Sequence, residues 1–117
     1  MAGTFIDSQN LDISCPGTVL VGQSSVISGR ASFRLVNETD TDVFFNILVH
    51  LTDTVGYRAE QSQTFQVVVA NGDLTDSYSL FINENYTNSG LVTATLKIEI
   101  TGAATFSDSV ECNFNVV

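Results

Sequence analysis

Hydrophobic and polar residues alternate over most of this chain, and the longest case is positions 43–52, VFFNILVHLT. Val43, Phe45, Ile47, Val49 and Leu51 fall on one face of an extended chain, and Phe44, Asn46, Leu48, His50 and Thr52 on the other. A helix gathers neither set into one stripe, and the β-branched and aromatic content also favours a strand. The segment reads as the central strand of an all-β sandwich.

The same period recurs on both sides of it. Positions 1–10 read as a lead-in pinned by Phe5 and Ile6, and 11–15 as a short first strand broken by Pro16-Gly17. Positions 18–21 are extended again, and Gly22-Gln23-Ser24 turns the chain. In 26–36, Ile27, Ala31, Phe33 and Leu35 face inward, with Ser28, Arg30, Ser32 and Arg34 outward. The polar segment 37–42, NETDTD, predicts a hairpin between that strand and the central one. A loop over 53–60 containing Gly56 leads to a strand at 63–69, with Phe65, Val67 and Val69 inward. Ala70-Asn71-Gly72-Asp73 is a turn signal. The strand at 77–82 places Tyr78, Leu80 and Ile82 inside, and 83–90, NENYTNSG, reads as a polar loop. From 91 to 101, Val92, Ala94, Leu96, Ile98 and Ile100 point in, against Thr93, Thr95, Lys97 and Glu99. After Gly102 a last strand covers 105–117.

About seven strands with no helical pattern longer than a turn predict an immunoglobulin-like antiparallel β-sandwich, with a closed barrel as the second arrangement. The antibody-type core is missing, because there is no Trp and the two cysteines lie on the outermost strands. The 117 residues make one domain, 1–117, and 44% hydrophobic content suffices for a single core. No run approaches the ~20 apolar residues of a membrane helix. The first residues lack the basic-then-apolar pattern of a signal peptide; Met1-Ala2-Gly3 fits a native start or a scar left by a removed leader.

Thirteen acidic residues against four basic ones give a net charge of −9. Arg30, Arg34, Arg58 and Lys97 are too few for a nucleic-acid footprint, and anionic membranes are disfavoured for the same reason. Acidity on an all-β protein serves first to discourage edge-to-edge association, and second, where carboxylates gather, to hold calcium. Cys15 and Cys112 share the phase of the apolar residues on the first and last strands. A bridge between them closes a loop of nearly the whole chain, worth about 4 kcal/mol in the chain-entropy account, and implies an oxidising compartment. The alternative is two buried thiols acting as small hydrophobes. Two Cys and one His do not make a structural zinc set.

The run from Leu11 resembles the CARDB and fibronectin-III-like modules of bacterial and archaeal surface proteins. The likeness lies in Gly22-Gln23 before the second strand, in FRLVNETDTDVFFNILVHL and in SGLVTATLKIEI, and it covers most of the chain as a pattern of strands and turns. The chain departs from CARDB in its ending, VECNFNVV, where that family has an acidic-Asn-Asn close. The resemblance implies an extracellular module.

Candidate chemistry is sparse. His50 stands alone, and no GxSxG-type elbow offers it a nucleophile, so a structural role is expected and an enzyme is not. Asn37, Glu38, Asp40 and Asp42 put oxygen ligands into one loop, a candidate calcium site without EF-hand spacing; Asp73, Asp76 and Glu84 form a weaker one. Two sequons, at Asn37 and Asn85, match what nine Asn and 25 Ser plus Thr produce by composition alone. Tyr57, Tyr86, Phe44 and Phe81 are candidates for a sugar-stacking platform flanked by Asn83, Asn85 and Asn88. Phe44, Leu48 and Phe81 are candidates for an association face. The expectation is a non-enzymatic, secreted or cell-surface interaction or structural module, with a protein partner or self-association. The alternative is a module binding carbohydrate or calcium, with recognition in loops 37–42, 53–60 and 83–90 or on a sheet face.

Overall fold

The computed structural model describes residues 3–59 and 63–117; the first two positions of the expected lead-in, and Glu60 at the end of the expected 53–60 loop, lie outside the described residues. Seven strands follow one another: β1 Thr4–Ser14, β2 Ser24–Asn37, β3 Val43–Asp53, β4 Gln63–Val69, β5 Gly72–Asn85, β6 Gly90–Gly102 and β7 Phe106–Val116. They form two sheets, β1-β2-β5 and β4-β3-β6-β7, with every neighbouring pair antiparallel. This is the immunoglobulin-like sandwich, with the fourth strand carried by the second sheet rather than the first. The molecule is long and narrow, 56 × 20 × 16 Å.

The central segment behaves as its alternation demands. Phe45, Ile47, Val49 and Leu51 are buried, and β3 lies inside its sheet between β4 and β6. From β6, Val92, Ala94, Leu96, Ile98 and Ile100 complete that inner layer, and Ile27, Ala31, Phe33, Leu35, Leu80 and Ile82 face them from the other sheet. Gly29 takes an inward position of β2 because Leu96 fills the space: a Cβ there would sit 3.2 Å from Leu96 Cδ2.

Four expectations change. The lead-in is strand from Thr4 onward, with Phe5 paired to Val36 and Ile6 to Leu35. A bulge between Ile6 and Ser8 shifts the phase, so that Ile6 and Leu11, an odd number of residues apart, both pack on the core. Segment 37–42 is no hairpin: β2 pairs with β1 and β5, while β3 pairs with β4 and β6. The segment instead crosses the roughly 10 Å between the two sheets. The strand expected at 77–82 runs from Gly72 to Asn85, because the alternation continues through polar residues that still ladder against β2. The polar loop at 83–90 therefore shortens, and Tyr86 within it is buried. Of 18–21, Val19 alone bridges, in parallel to Val116.

Each long side of the sandwich is closed differently. On the β1–β7 side Cys15 and Cys112 form a disulfide, with Cα atoms 5.9 Å apart. On the β4–β5 side Tyr78 stacks on Phe33 at 5.9 Å and meets Phe65 at 4.8 Å between ring centroids. A covalent bridge and an aromatic ladder thus join the two sheets along opposite edges.

Candidate functional site

The two ends of the sandwich are each organised by one polar side chain. At the first, Asn37 is fully buried at the end of β2. Its Nδ2 donates to the carbonyls of Thr41 (2.8 Å) and Val69 (2.9 Å), and its Oδ1 accepts from the Thr39 amide (2.9 Å) and hydroxyl. Asn71 adds a bond to the Thr39 carbonyl at 2.9 Å. All four hydrogen-bonding positions of the Asn37 amide are filled, so it acts as a strut between the sheets. Its companions in the expected calcium set, Glu38, Asp40 and Asp42, are exposed. Among the described residues no three His, Cys, Asp or Glu side chains are grouped as a metal ion requires.

At the other end Asp53, the last residue of β3, folds the following loop around itself. Its Oδ1 accepts from the backbone N–H of Val55 (3.0 Å), Gly56 (2.9 Å) and Tyr57 (2.8 Å), and its Oδ2 from the Tyr86 hydroxyl at 2.6 Å. Tyr86 is 2% exposed and packs edge-on against both Tyr57 and Phe114. Burial first, and the bond to Asp53 second, push its ionisation well above the ordinary tyrosine range. Tyr57 is partly buried beside it and donates to the Asn85 carbonyl at 3.3 Å. The expected sugar-stacking platform therefore does not form: Tyr57 and Tyr86 are core aromatics of this end, and Phe44 and Phe81 lie elsewhere. Asp53 had a readable signal, an Asp three positions before a loop glycine, the spacing of a side chain that caps its own turn.

Phe44 and Phe81 are both about half exposed, on opposite outer faces. Phe44 pairs with the equally exposed Val68 on the outer face of the four-stranded sheet, and Leu48 follows on that face, partly buried. Phe81 stands on the outer face of the three-stranded sheet, paired to Ser28. The three do not make one association face, because an even spacing fixes the side of a strand but not which sheet the strand joins. His50 is partly buried on the outer face of the four-stranded sheet, opposite Lys97. Desolvation first, then the charges of Arg58 and Lys97, hold its ionisation below the usual imidazole value.

The outer face of the three-stranded sheet is ordered in rows. One row reads Ser14, Ser28, Phe81 across β1, β2 and β5, and the next reads Asp12, Arg30, Ser79. Further along, Arg34 is clamped between Asp7, the residue of the bulge, and Asp73 on β5 at 2.7 Å. The first two rows enclose a shallow hollow of about 250 Å³.

No family model matches the chain, and no curated protein matches it in sequence. Among solved structures, a CARDB domain from Pyrococcus furiosus, determined in complex with di-metal ions, aligns over 100% of this chain and 93% of its own, with a TM-score of 0.54 and 14% identity. The fold is similar to that of a CARDB domain. A Bacteroides uniformis β-glucuronidase aligns over 88% of this chain but only 12% of its own length, with a TM-score of 0.49 and 11% identity, too distant to bear on function.

Proposed function

We propose that this chain is a non-catalytic, extracellular or cell-surface CARDB-like module, a recognition or structural unit of a larger assembly. The observation that carries the reading is the Cys15–Cys112 bridge, which joins the first and last strands across 97 positions of sequence. Such a bridge persists in oxidising compartments and is reduced in the cytosol of most cells. The match along nearly the full length of a CARDB domain supports a self-contained unit. The polar groups at the two ends of the sandwich, Asn37 at one and the Asp53–Tyr86 pair at the other, are engaged in structural bonds. The chain meets its partner through the outer sheet faces, where side chains remain open to solvent. Fractionating the cells that produce the protein tests this: recovery from the outer surface or the medium is expected, and recovery from the cytosol would overturn it.

A further inference from the structure

We propose that the hollow beside Phe81, on the outer face of the three-stranded sheet, binds a neutral saccharide. The proposal rests on the reading of the chain as a recognition module and names the class of its ligand. Phe81 is 49% exposed, and its cross-strand neighbour is Ser28. Serines also stand at 79 on its own strand and at 14 in its row, and all three serines line the hollow with the ring. The hollow of about 250 Å³ therefore has an apolar plate for one wall and short hydroxyls around it. A pyranose presents the complementary pair of surfaces, a C–H-rich face and a rim of hydroxyls. Pockets of this kind join apolar area to a few convergent polar groups.

The next row supplies the polar groups. Asp12 and Arg30 are register partners on adjacent strands, yet their charged ends turn aside. Asp12 Oδ2 accepts from Asn10 Nδ2 at 3.1 Å, and Arg30 Nη2 reaches the Ser77 hydroxyl at 3.4 Å. Both bonds are exposed, and the Arg30 one is also long, so a ligand hydroxyl can replace them at little cost. Arg34, by contrast, is already held by two carboxylates. A carboxylate that only accepts beside a guanidinium that only donates suits two neighbouring hydroxyls, one giving a proton and the other taking one. Their charges cancel locally within a chain of net charge −9, which favours a neutral sugar over an acidic or a basic one.

The test is two-dimensional NMR of the intact 15N-labelled chain titrated with cello-, malto-, manno- and laminarihexaose, and with polygalacturonate as the acidic control. At least one neutral hexasaccharide is expected to move the amides of Ser28, Arg30, Ser79 and Phe81. Phe81→Ala should weaken that binding about tenfold or more, Phe81→Trp should retain it, and Arg30→Ala should weaken it. Absence of shifts at these positions with all four neutral hexasaccharides would overturn the proposal. So would shifts that persist in Phe81→Ala, or binding of polygalacturonate alone. A silent hollow in a protein recovered from the cell exterior would sink the saccharide site and leave the module reading standing, whereas recovery from the cytosol would remove that reading itself.

Discussion

The Tyr86 hydroxyl donates to Asp53 Oδ2 at 2.6 Å, while the other oxygen of the same carboxylate accepts three successive loop N–H groups. One side chain thus ties the end of β3, the loop after it and the β5–β6 connection into a single unit. Tyr86→Phe removes one bond to a charged acceptor, and a loss of about 1.5–3 kcal/mol is expected. Asp53→Ala removes all four and should cost more. Urea unfolding checks the order; equal stability of Tyr86→Phe and the parent would show that the bond contributes nothing.

Asn37 offers a sharper contrast, because a strut and a cation ligand respond in opposite ways to the same change. Asn37→Asp keeps the shape but loses the two donors to the Thr41 and Val69 carbonyls and places a carboxylate where water is excluded. The melting temperature should fall sharply, and adding calcium should not restore it. A calcium-dependent rise in Asn37→Asp would instead mark the loop as a cation site.

Two glycines are required by space. Gly29→Val drives a branched side chain against Leu96, already 3.2 Å from a Cβ, and overpacking of this kind costs about 1–3 kcal/mol. Gly102 has φ +99°, and a Cβ there would lie 2.6 Å from the Phe44 carbonyl oxygen, so Gly102→Ala should destabilise as well. Gly17 has open space around its Cβ position, and Gly17→Ala should leave the denaturation midpoint close to the parent's. A midpoint that moved as far for Gly17→Ala as for the other two would remove the steric account.

Tyr78 and His50 each contribute to the expected pH limits, with Tyr86 adding to the alkaline one. Burial, then the bond to Asp76, raises the Tyr78 phenol to about 12 from its usual 10. Its contribution is present in full below pH 10 and is lost as pH rises through about 12, so Tyr78→Phe should flatten the alkaline limb. His50 is shifted the other way, so its contribution is present above about pH 6.5 and is lost as pH falls below it. His50→Gln should flatten that acid limb. The check is unfolding free energy against pH for parent and variants; parallel curves would contradict both assignments.

What the sequence made legible, and what it did not, follows from what alternation encodes. Val92 through Ile100, and Phe45 through Leu51, announce both strand and inward face, because one side of each strand is buried and the other is not. Alternation carries no information about which sheet a strand joins. Segment 37–42 therefore reads as a hairpin, and Phe44 and Phe81 read as neighbours when the thickness of the sandwich separates them. The bulge at Asp7 broke the phase and hid the first half of β1. Tyr86 reads as a loop residue because its flanking polar residues mark a loop, while its burial depends on Asp53 and Phe114, which are remote in sequence. The cysteines were legible because their phase matched that of the buried residues on their strands. The Asp12–Arg30 pair was not, since register between two strands is set only once they pair.

The most direct measurement is a thiol titration of the protein isolated from its own source, unfolded in guanidinium without reductant. The account predicts no reactive thiol before reduction and two after it, from Cys15 and Cys112. Two reactive thiols before reduction would contradict the covalent closure of the sandwich and, with it, the extracellular reading.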